Sequence, residues 1–476
     1  MALTGVLAAV VLAATPGTAL ADQTTTGNVT VRADQALAEI RPGAIGVNTP
    51  IWNPRLVDPA VPGLIRQAGI RRLEFNGGGV SDLYHWRDGS VSADPDAADH
   101  PYDYAALPPQ FSFDQFAATA QQTHADMLVH VNYGTGTPEE AAAWVTYANR
   151  VKHYHIKDWA IGEEVWGNGS IPGVNFEPDA HADKSAAAYG RNALAFIAAM
   201  KAADPGIRVG VELTGVPAGV SLPGFNEWDQ GVMSTVGGAA DFVDFHEYPF
   251  GVRDTSDKGL LGSVRQLPAN LAALRALVDR YAGRGRHVDL VVGETNSAAF
   301  QAPQQISVFN ALYLADDMLT LLENGTTGVA WWALHNGGYG DTHGDLGLLS
   351  TGDCDDTGTV CAPPADTPYP PYYGLQLTGA LARPGGTLVA TSSADPLVVT
   401  HAVREPDGSL AVLLLNEDPT NARKVCLDVR GYRAGGDPTV LWYGPGVDRV
   451  QVTHQAGRTR TLPAYSLTEM VFAPAR

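Results

Sequence analysis

The chain has 476 residues, a hydrophobic content of 45%, a mean hydropathy of −0.07 and a formal net charge of −20. This length can bury one large core and a smaller second core, and the composition is that of a soluble globular protein. The acidic balance, with a pI near 4.9, argues against nucleic acid or an anionic membrane surface as a partner.

The N-terminus has the pattern of a secretory signal peptide. The segment from Leu3 to Ala14 is almost wholly apolar, and Ala19-Leu20-Ala21 fits the small-x-small rule for cleavage. The pattern predicts a signal peptide over residues 1–21 and a secreted, extracellular protein. The apolar run is too short to span a bilayer and no later segment is long enough, so no membrane partner is expected once the signal is removed.

Eight short apolar runs between residues 41 and 372 predict buried β-strands. They are Ala44–Val47, Arg71–Phe75, Met127–Val131, Trp159–Ile161, Val209–Leu213, Phe242–His246, Val288–Val292 and Val329–Trp332. Amphipathic stretches between them predict helices, namely Glu139–Val151, Lys184–Ala202, Leu267–Tyr281 and Gln304–Glu323. Eight βα units predict an α/β fold, a (β/α)8 TIM barrel over residues 41–372. The alternative is a doubly wound sheet, which the lack of a Gly-rich phosphate loop after the first strand disfavours.

After Tyr372 the helical periodicity ends and short alternating segments begin. They predict the strands Leu397–Val403, Leu410–Leu415, Lys424–Val429, Thr439–Tyr443 and Thr468–Phe472. Turn residues separate these segments, so the pattern predicts an antiparallel β-sandwich domain over residues 373–476. Within residues 22–40, an early strand at Asn28–Arg32 is expected to pair with this sandwich.

The three cysteines predict one disulfide and no metal site. Cys354 and Cys361 bracket a polar loop, and in an oxidising compartment they are expected to form a local disulfide. Cys426 lies in an alternating strand and is expected to be a buried free thiol. Because there is no CxxC pair and no DxDxDG-type loop, we expect neither a metal ion nor another cofactor.

Polar and aromatic side chains collect at the carboxyl ends of the predicted strands, where TIM barrels carry their active sites. They are Asn132, Tyr133, Glu164, Glu212, His246, Tyr248, Glu294, Trp331 and Trp332. Glycosidic bonds are broken by two carboxylates that face each other across a sugar, which makes Glu164 and Glu294 candidates for catalysis. Glu163 competes with Glu164, because in an alternating strand only one of the two can point inward.

Four segments resemble motifs of glycoside hydrolase clan A. Leu73-Glu74-Phe75-Asn76-Gly77-Gly78, followed by Ser81–Trp86, resembles the strand-two motif LRYPGG and its D-x-Y-x-W continuation. Trp159-Ala160-Ile161-Gly162-Glu163-Glu164 resembles the acid/base motif WxIGNE. Val291–Ser297 resembles a nucleophile motif of the GETxS kind, and Trp331-Trp332 resembles the aromatic floor at strand eight. Within the clan the chain is most similar to families 39, 51 and 79, which hold α-L-arabinofuranosidases, β-xylosidases and β-glucuronidases.

The resemblance implies a role for each matching residue. Glu164 would be the general acid/base and Glu294 the nucleophile of a retaining double displacement. Tyr248 is expected to donate a hydrogen bond to Glu294. Substrate contacts are expected from His246, Glu74, Asn76, Asn132, Glu163, and the aromatic side chains of Tyr133, Trp166, Trp331 and Trp332. Core packing is the alternative for each single aromatic residue.

Two departures from the family pattern put carboxylates where the family has other groups. Glu74 stands where an arginine is usual, and Glu163 stands where an asparagine usually contacts the sugar 2-hydroxyl. Crowded carboxylates cannot all ionise, so their titrations should be coupled. We consider three consequences: a protonated Glu163 that imitates the amide, a substrate with a positive group, or a site that no longer catalyses.

The resemblance therefore implies a secreted retaining exo-glycosidase that acts on oligo- or polysaccharide side chains. An α-L-arabinofuranosidase-like activity ranks first, and β-glucuronidase or β-xylosidase activity ranks next. The alternative is a non-catalytic carbohydrate-binding protein on a degenerate glycosidase barrel, which the two departures favour. Covalent labelling of Glu294 by a slow mechanism-based fluorosugar separates the two hypotheses.

Overall fold

The computed structural model describes residues 27–475 except 102, 105–106, 216–223, 250–251 and 356, and only the backbone of residues 340 and 341. The predicted signal peptide, residues 1–21, lies outside the described residues. No helix in the described part of the chain combines the length and apolar character needed to cross a bilayer.

The described residues form twenty-one strands in chain order. They are β1 (Gly27–Glu39), β2 (Ile45–Asn48), β3 (Arg72–Phe75), β4 (Tyr84–His85), β5 (Ser90–Val91), β6 (Asp126–Val131), β7 (Asp158–Ile161), β8 (Asn168–Ile171), β9 (Val174–Asn175), β10 (Arg208–Glu212), β11 (Phe242–Glu247), β12 (Asp289–Thr295), β13 (Thr326–Trp331), β14 (Thr387–Ser393), β15 (Val398–Arg404), β16 (Leu410–Asn416), β17 (Arg423–Arg430), β18 (Thr439–Tyr443), β19 (Gln451–His454), β20 (Thr459–Leu462) and β21 (Ser466–Phe472).

Ten α-helices connect or cover these strands. They are α1 (Val61–Gln67), α2 (Phe113–Thr123), α3 (Pro138–Val145), α4 (Ala186–Ala203), α5 (Phe225–Val236), α6 (Asp257–Ser263), α7 (Leu267–Ala282), α8 (Val308–Glu323), α9 (Tyr339–Thr342) and α10 (Pro370–Leu381). Local sequence explains several starts: Ser112 caps α2 in a capping box with Gln115, and Thr137 caps α3. The predicted helix Glu139–Val151 is divided between α3 and a π-helical turn at Thr146–Val151.

Eight parallel strands close into a barrel in the order β2, β3, β6, β7, β10, β11, β12 and β13. Each corresponds to one of the eight predicted strands, which confirms the TIM-barrel prediction. The strands are buried almost without exception, as expected when helices cover the outside of a parallel barrel. All eight therefore point their carboxyl ends at one mouth.

A nine-stranded sheet forms the second layered unit, in the order β19-β18-β21-β16-β15-β14-β1-β17-β20. β1 contains the predicted early strand; it pairs antiparallel with β14 and parallel with β17, so both ends of the described chain meet in this sheet. Three of its strands, β14, β19 and β20, were not predicted, because polar residues and threonines interrupt their alternation. α10 continues to Leu381, past the domain boundary predicted at Tyr372.

The barrel and the sheet meet at α8, which is buried along nearly its whole length. From β15, His401 reaches this helix with Nδ1 at 2.9 Å from Glu323 Oε1 and Nε2 at 3.2 Å from Asp316 Oδ1. Burial alone would favour the neutral ring, but the two carboxylates outweigh it and raise the pKa of His401 to about 10. This ion cluster joins the two units near neutral pH.

The predicted disulfide between Cys354 and Cys361 is present in the loop that follows the barrel. Cys426 is free but only half-buried, which corrects the expectation of a buried thiol. Its strand β17 lies near one side of the sheet, with only β20 beyond it.

Candidate active site

Two glutamates converge on one ring nitrogen of His246 at the mouth of the barrel. Glu164 follows β7, and Glu294 lies near the end of β12. His246 Nδ1 is 2.8 Å from Glu164 Oε1 and 3.5 Å from Glu294 Oε2. These two carboxylate oxygens are therefore no more than about 6.3 Å apart, the sum of the two distances. Retaining glycosidases hold their carboxyl groups about 5–5.5 Å apart, and inverting ones about 6.5–9.5 Å.

The backbone at Glu164 leaves the strand conformation. Its φ is 41° and its ψ is 35°, in the left-handed region that non-glycine residues seldom adopt. Gly162, with φ of 80°, begins this turn, and Glu164 O accepts a 2.6 Å hydrogen bond from Gly167 N, which completes it. Strain of this kind costs about 1–3 kcal/mol and is found where geometry serves function.

Tyr248 fixes the second glutamate. Its hydroxyl donates a 2.7 Å hydrogen bond to Glu294 Oε2, the contact expected from the sequence. Burial raises the pKa of Glu294 well above its usual value; His246 opposes this shift, while the negative charges of Glu163 and Glu164 reinforce it. The bond from Tyr248 also favours the carboxylate.

Glu163 lies inside the barrel between two histidines. Its Oε2 is 2.8 Å from His130 Nδ1, and its Oε1 is 3.3 Å from His246 Nε2. The expectation that only one of Glu163 and Glu164 points inward is wrong, because the turn begun at Gly162 breaks the alternation and both carboxylates reach His246.

The charge state of Glu163 also differs from the first of the three expected consequences. Burial favours the neutral acid, but the positive charge of His130 and its hydrogen bond outweigh burial and lower the pKa of Glu163 to about 2. Glu163 is therefore ionised and forms ion pairs with the two rings. It does not imitate the amide donor of the family's asparagine.

A deeper layer of carboxylates surrounds His130. Its Nε2 is 3.8 Å from Glu74 Oε2 and 4.0 Å from Asp244 Oδ2. Glu212, from the neighbouring strand β10, is fully buried. Burial raises the pKa of Glu74 and that of Glu212, and raises that of Asp244 to about 7. Glu74 thus faces the barrel interior beneath Glu163.

Asp82 ties the loops of the site together. Its Oδ1 accepts hydrogen bonds from the backbone N–H groups of Tyr133 and Gly134 at 2.9 and 3.1 Å, and its Oδ2 accepts one from Glu163 N at 3.1 Å. It thereby links the loops that follow β3, β6 and β7. The sequence motif contains Asp82, but its positioning role was not predicted.

The two tryptophans at the eighth barrel strand lie in different surroundings. Trp332 packs beside Tyr248 and against Trp52, whose ring centroid is 5.9 Å away. Trp331 is fully buried in the core, 6.4 Å from the ring of Tyr313 on α8. Successive residues of a strand face opposite sides, so the structure brings only Trp332 to the site. We propose no sugar contact for Trp331.

Two further aromatic candidates pack within the protein. The ring of Tyr133 stacks on His181 at 4.5 Å and is almost fully buried. Trp166 follows Glu164 in the chain, but its ring packs against Phe176 at 5.2 Å and Phe225 at 5.4 Å. Both side chains therefore support the loops around the mouth, and core packing describes their observed placement.

The two asparagine candidates also make internal contacts. Asn132 Oδ1 accepts hydrogen bonds from the backbone N–H groups of Thr135 and Gly136, both at 2.9 Å, and so shapes the loop after β6. Asn76 Oδ1 accepts a 2.9 Å hydrogen bond from Ser81. The amide nitrogen of Asn76 is buried without a hydrogen-bond partner in the described structure.

Comparison with known proteins supports the resemblance seen in the motifs. No family model matches the chain. The chain is 27% identical over 161 residues to the probable α-L-arabinofuranosidase C of Aspergillus fumigatus, covering 30% of each chain. It is 25% identical over 205 residues to the intracellular exo-α-(1→5)-L-arabinofuranosidase of Acetivibrio thermocellus, covering 39% of this chain and 37% of that one. These alignments thus span about a third of the length of the relatives.

The likeness in fold extends over nearly the whole chain. The structure of the thermostable GH51 α-L-arabinofuranosidase from Thermotoga petrophila matches with a TM-score of 0.72 and 19% identity, covering 94% of this chain and 100% of that chain. The chain therefore has the barrel-and-sandwich fold seen in clan A glycoside hydrolases, and it is similar to family 51.

Proposed function

We propose that the chain is a secreted, retaining glycoside hydrolase that releases α-L-arabinofuranosyl groups from polysaccharide side chains. The observation that carries the proposal is the approach of Glu164 and Glu294 to the same nitrogen of His246, with Tyr248 bonded to Glu294. The names of the two relatives favour the arabinofuranosyl group among the sugars of the clan. The apolar N-terminal pattern in residues 1–21 supports secretion.

In the first step, Glu294 attacks the anomeric carbon while Glu164 protonates the departing glycosidic oxygen. The bond between that carbon and oxygen breaks, the alcohol leaves, and a covalent glycosyl-enzyme forms on Glu294. The two carboxylate oxygens are at most about 6.3 Å apart, which is below the range of inverting enzymes and favours this direct attack.

In the second step, Glu164 removes a proton from water, and the resulting hydroxide attacks the anomeric carbon from the side the alcohol left. The bond to Glu294 breaks and its carboxylate is restored. Two displacements restore the starting configuration. The released sugar thus has the same anomeric configuration as the substrate.

The first step of this mechanism requires a proton on Glu164 and an ionised Glu294. Glu294 is buried, and the nearby negative charge of Glu164 opposes its ionisation. With the proton on Glu164, the charge that opposes ionisation of Glu294 is reduced, and the hydrogen bond from Tyr248 favours Glu294 as the anion. After glycosylation Glu294 carries no charge, so Glu164 can release its proton and act as a base.

The test is hydrolysis of aryl arabinofuranosides, xylosides, glucuronides, galactosides and glucosaminides from pH 4 to 8, by the wild type and by Glu294→Gln. We expect turnover of the arabinofuranoside and its loss in the variant. Glu164→Ala should keep kcat/KM for substrates with an activated dinitrophenol leaving group and lose it for unactivated ones, since only poor leaving groups need the acid. Its kcat should fall for both, because the same residue is the base of the second step. Equal losses of kcat/KM for both leaving groups would contradict the role of Glu164.

A slow 2-fluoro-sugar of the hydrolysed type should label Glu294 covalently, as shown by peptide mass spectrometry. Binding of oligosaccharides without turnover of any panel substrate and without labelling would favour the carbohydrate-binding alternative instead.

A further inference from the structure

A buried group of ligand-type side chains lies beneath the proposed catalytic pair. His130 of β6, Glu212 of β10 and Asp244 of β11 each place one nitrogen or oxygen atom within 4.8 Å of the others. Glu74 of β3 lies beside this group, with its Oε2 3.8 Å from His130 Nε2. All four side chains are shielded from solvent.

The carboxylates of this group have no hydrogen bonds that account for their burial. Both oxygens of Glu74, Glu212 and Asp244 lack a hydrogen-bond partner among the described residues. Burying a carboxylate is costly unless it is paired, hydrogen-bonded or bound to a metal. Three such groups that converge on one histidine therefore indicate a missing partner of positive charge.

The orientation of His130 shows which of its nitrogens faces that partner. Without an ion the ring is a cation paired with Glu163, and a bound metal ion would take the place of the proton on Nε2. Nδ1 is 3.0 Å from the carbonyl oxygen of Gly162 and 2.8 Å from Glu163 Oε2. Because a carbonyl oxygen can only accept, Nδ1 carries the hydrogen. A histidine that ligates a metal commonly donates its other N–H in this way to a carbonyl or carboxylate.

The distances on the other side of the ring suit a cation better than a hydrogen bond. Nε2 is 3.8 Å from Glu74 and 4.0 Å from Asp244, beyond hydrogen-bond range. Ligands on opposite sides of a transition-metal cation are about 4 Å apart, since each bond measures about 2.0–2.2 Å. His130, Glu212 and Asp244 thus hold ligand atoms close enough for one ion to bridge, and Glu74 lies beside His130.

We propose that His130, Glu212 and Asp244, with the carboxylate of Glu74 beside them, bind one first-row divalent cation, of which Zn²⁺ and Mn²⁺ are the probes. One imidazole nitrogen among carboxylate oxygens suits such ions, whereas Ca²⁺ prefers six to eight oxygen ligands. The three ligands lie in the closed interior of the barrel, so the ion would have a structural role and tie β6, β10 and β11 together. The ion would also hold His130, and through it Glu163, in place below the mouth.

A second triad, Glu163, His246 and Glu294, has similar spacing. Its members are already paired: His246 Nδ1 contacts Glu164, Glu294 accepts from Tyr248, and Glu163 lies 2.8 Å from His130. In the deeper triad the carboxylates have no hydrogen bond and no ion pair shorter than 4.0 Å among the described residues, which is why the cation is placed there. The proposal does not depend on glycosidase activity.

The test uses the full chain without an affinity tag of histidines. Metal content is measured by mass spectrometry of the purified protein, and again after a chelator has been dialysed in and out and Zn²⁺, Mn²⁺ or Ca²⁺ has been added alone. We expect about one equivalent of Zn²⁺ or Mn²⁺, little Ca²⁺, and a Tm that falls on removal of the metal and recovers on its return.

Variants decide where the ion binds. Glu212→Gln and Asp244→Asn should each weaken metal binding by roughly tenfold or more. Glu469→Gln is the matched control, because Glu469 is a buried carboxylate with an unpartnered oxygen in β21 of the sheet, and it should bind metal as the wild type does. The proposal is overturned if the wild type takes up neither metal, if removal of the metal leaves Tm unchanged, or if both site variants bind with wild-type affinity.

Discussion

Replacing Tyr248 with phenylalanine tests the assignment of Glu294 as the nucleophile. The change removes only the hydroxyl that donates to Glu294 Oε2 at 2.7 Å in a buried setting. That bond stabilises the ionised carboxylate, so its loss should raise the pKa of Glu294 and leave less of the reactive anion at a given pH. We expect Tyr248→Phe to lower kcat/KM and to move the acidic limb of its pH profile upward.

The size of the effect follows from the strength of the bond. A hydrogen bond to a charged group is worth about 1.5–3 kcal/mol. Since one pKa unit corresponds to about 1.36 kcal/mol, the acidic limb should rise by roughly 1–2 pH units. Below that limb, kcat/KM should fall by roughly 10- to 100-fold.

The assay is kcat/KM for the best aryl glycoside at closely spaced pH values, together with Tm for each protein. Tyr432→Phe is the control. Tyr432 donates an equally short 2.7 Å hydrogen bond to the backbone oxygen of Phe472, which belongs to the nine-stranded sheet and not to the barrel. This variant should lose stability without a change in the pH profile. A Tyr248→Phe enzyme with the wild-type acidic limb would refute the proposed role of the bond.

Three further predictions concern positioning, the interface and the disulfide. Asp82→Ala leaves three backbone N–H groups without an acceptor, so kcat should fall by roughly 10- to 100-fold with a smaller change in KM; an unchanged kcat would refute its positioning role. The pKa of His401 is raised to about 10 in the folded protein. The ion cluster therefore contributes its full stability below the pKa of a histidine in the unfolded chain, about 6.5, and this contribution is lost as the pH rises through 10. Tm of the wild type should therefore decline between pH 7 and 10, and His401→Gln should flatten that decline; equal slopes would count against the ion pair with Glu323. Reduction of Cys354–Cys361 should add two free thiols by mass spectrometry and lower stability by about 2–3 kcal/mol, because the closed loop is short; thiols already free in oxidised, secreted protein would contradict the bond.

The barrel was predictable because its signal is strong and repeated. Each of the eight strands is a short run buried on both faces, and such runs stand out between amphipathic helices whatever the details of packing. The strands that escaped prediction lie in the sheet, where β19 and β20 are short, polar and paired on only one side each. Their conformation depends on neighbours far away in the chain, which periodicity does not record.

The site was predictable only where chain order places a residue at a strand end. Glu164, His246, Tyr248 and Glu294 are of this kind, and the structure brings them into contact. His130 is different, because a lone histidine one residue before the end of an apolar strand is most simply a core residue. One signal was available. Asp244 and His246 are two residues apart in a strand and share a face, which indicates a second layer of titratable side chains inside the barrel, below the layer at the strand ends.

Glu163 shows why a departure from a family motif cannot be judged at its own position. Taken alone, a carboxylate in place of an amide predicts crowding of negative charge and a shared proton. The structure instead supplies two histidines, and His130 in particular converts Glu163 from a surplus charge into the anion of an ion pair. His130 then needs its own surroundings, which Glu74, the second departure, helps to provide. The two unusual glutamates are thus parts of one arrangement centred on His130, and a variant at any one of the three positions should be interpreted together with the other two.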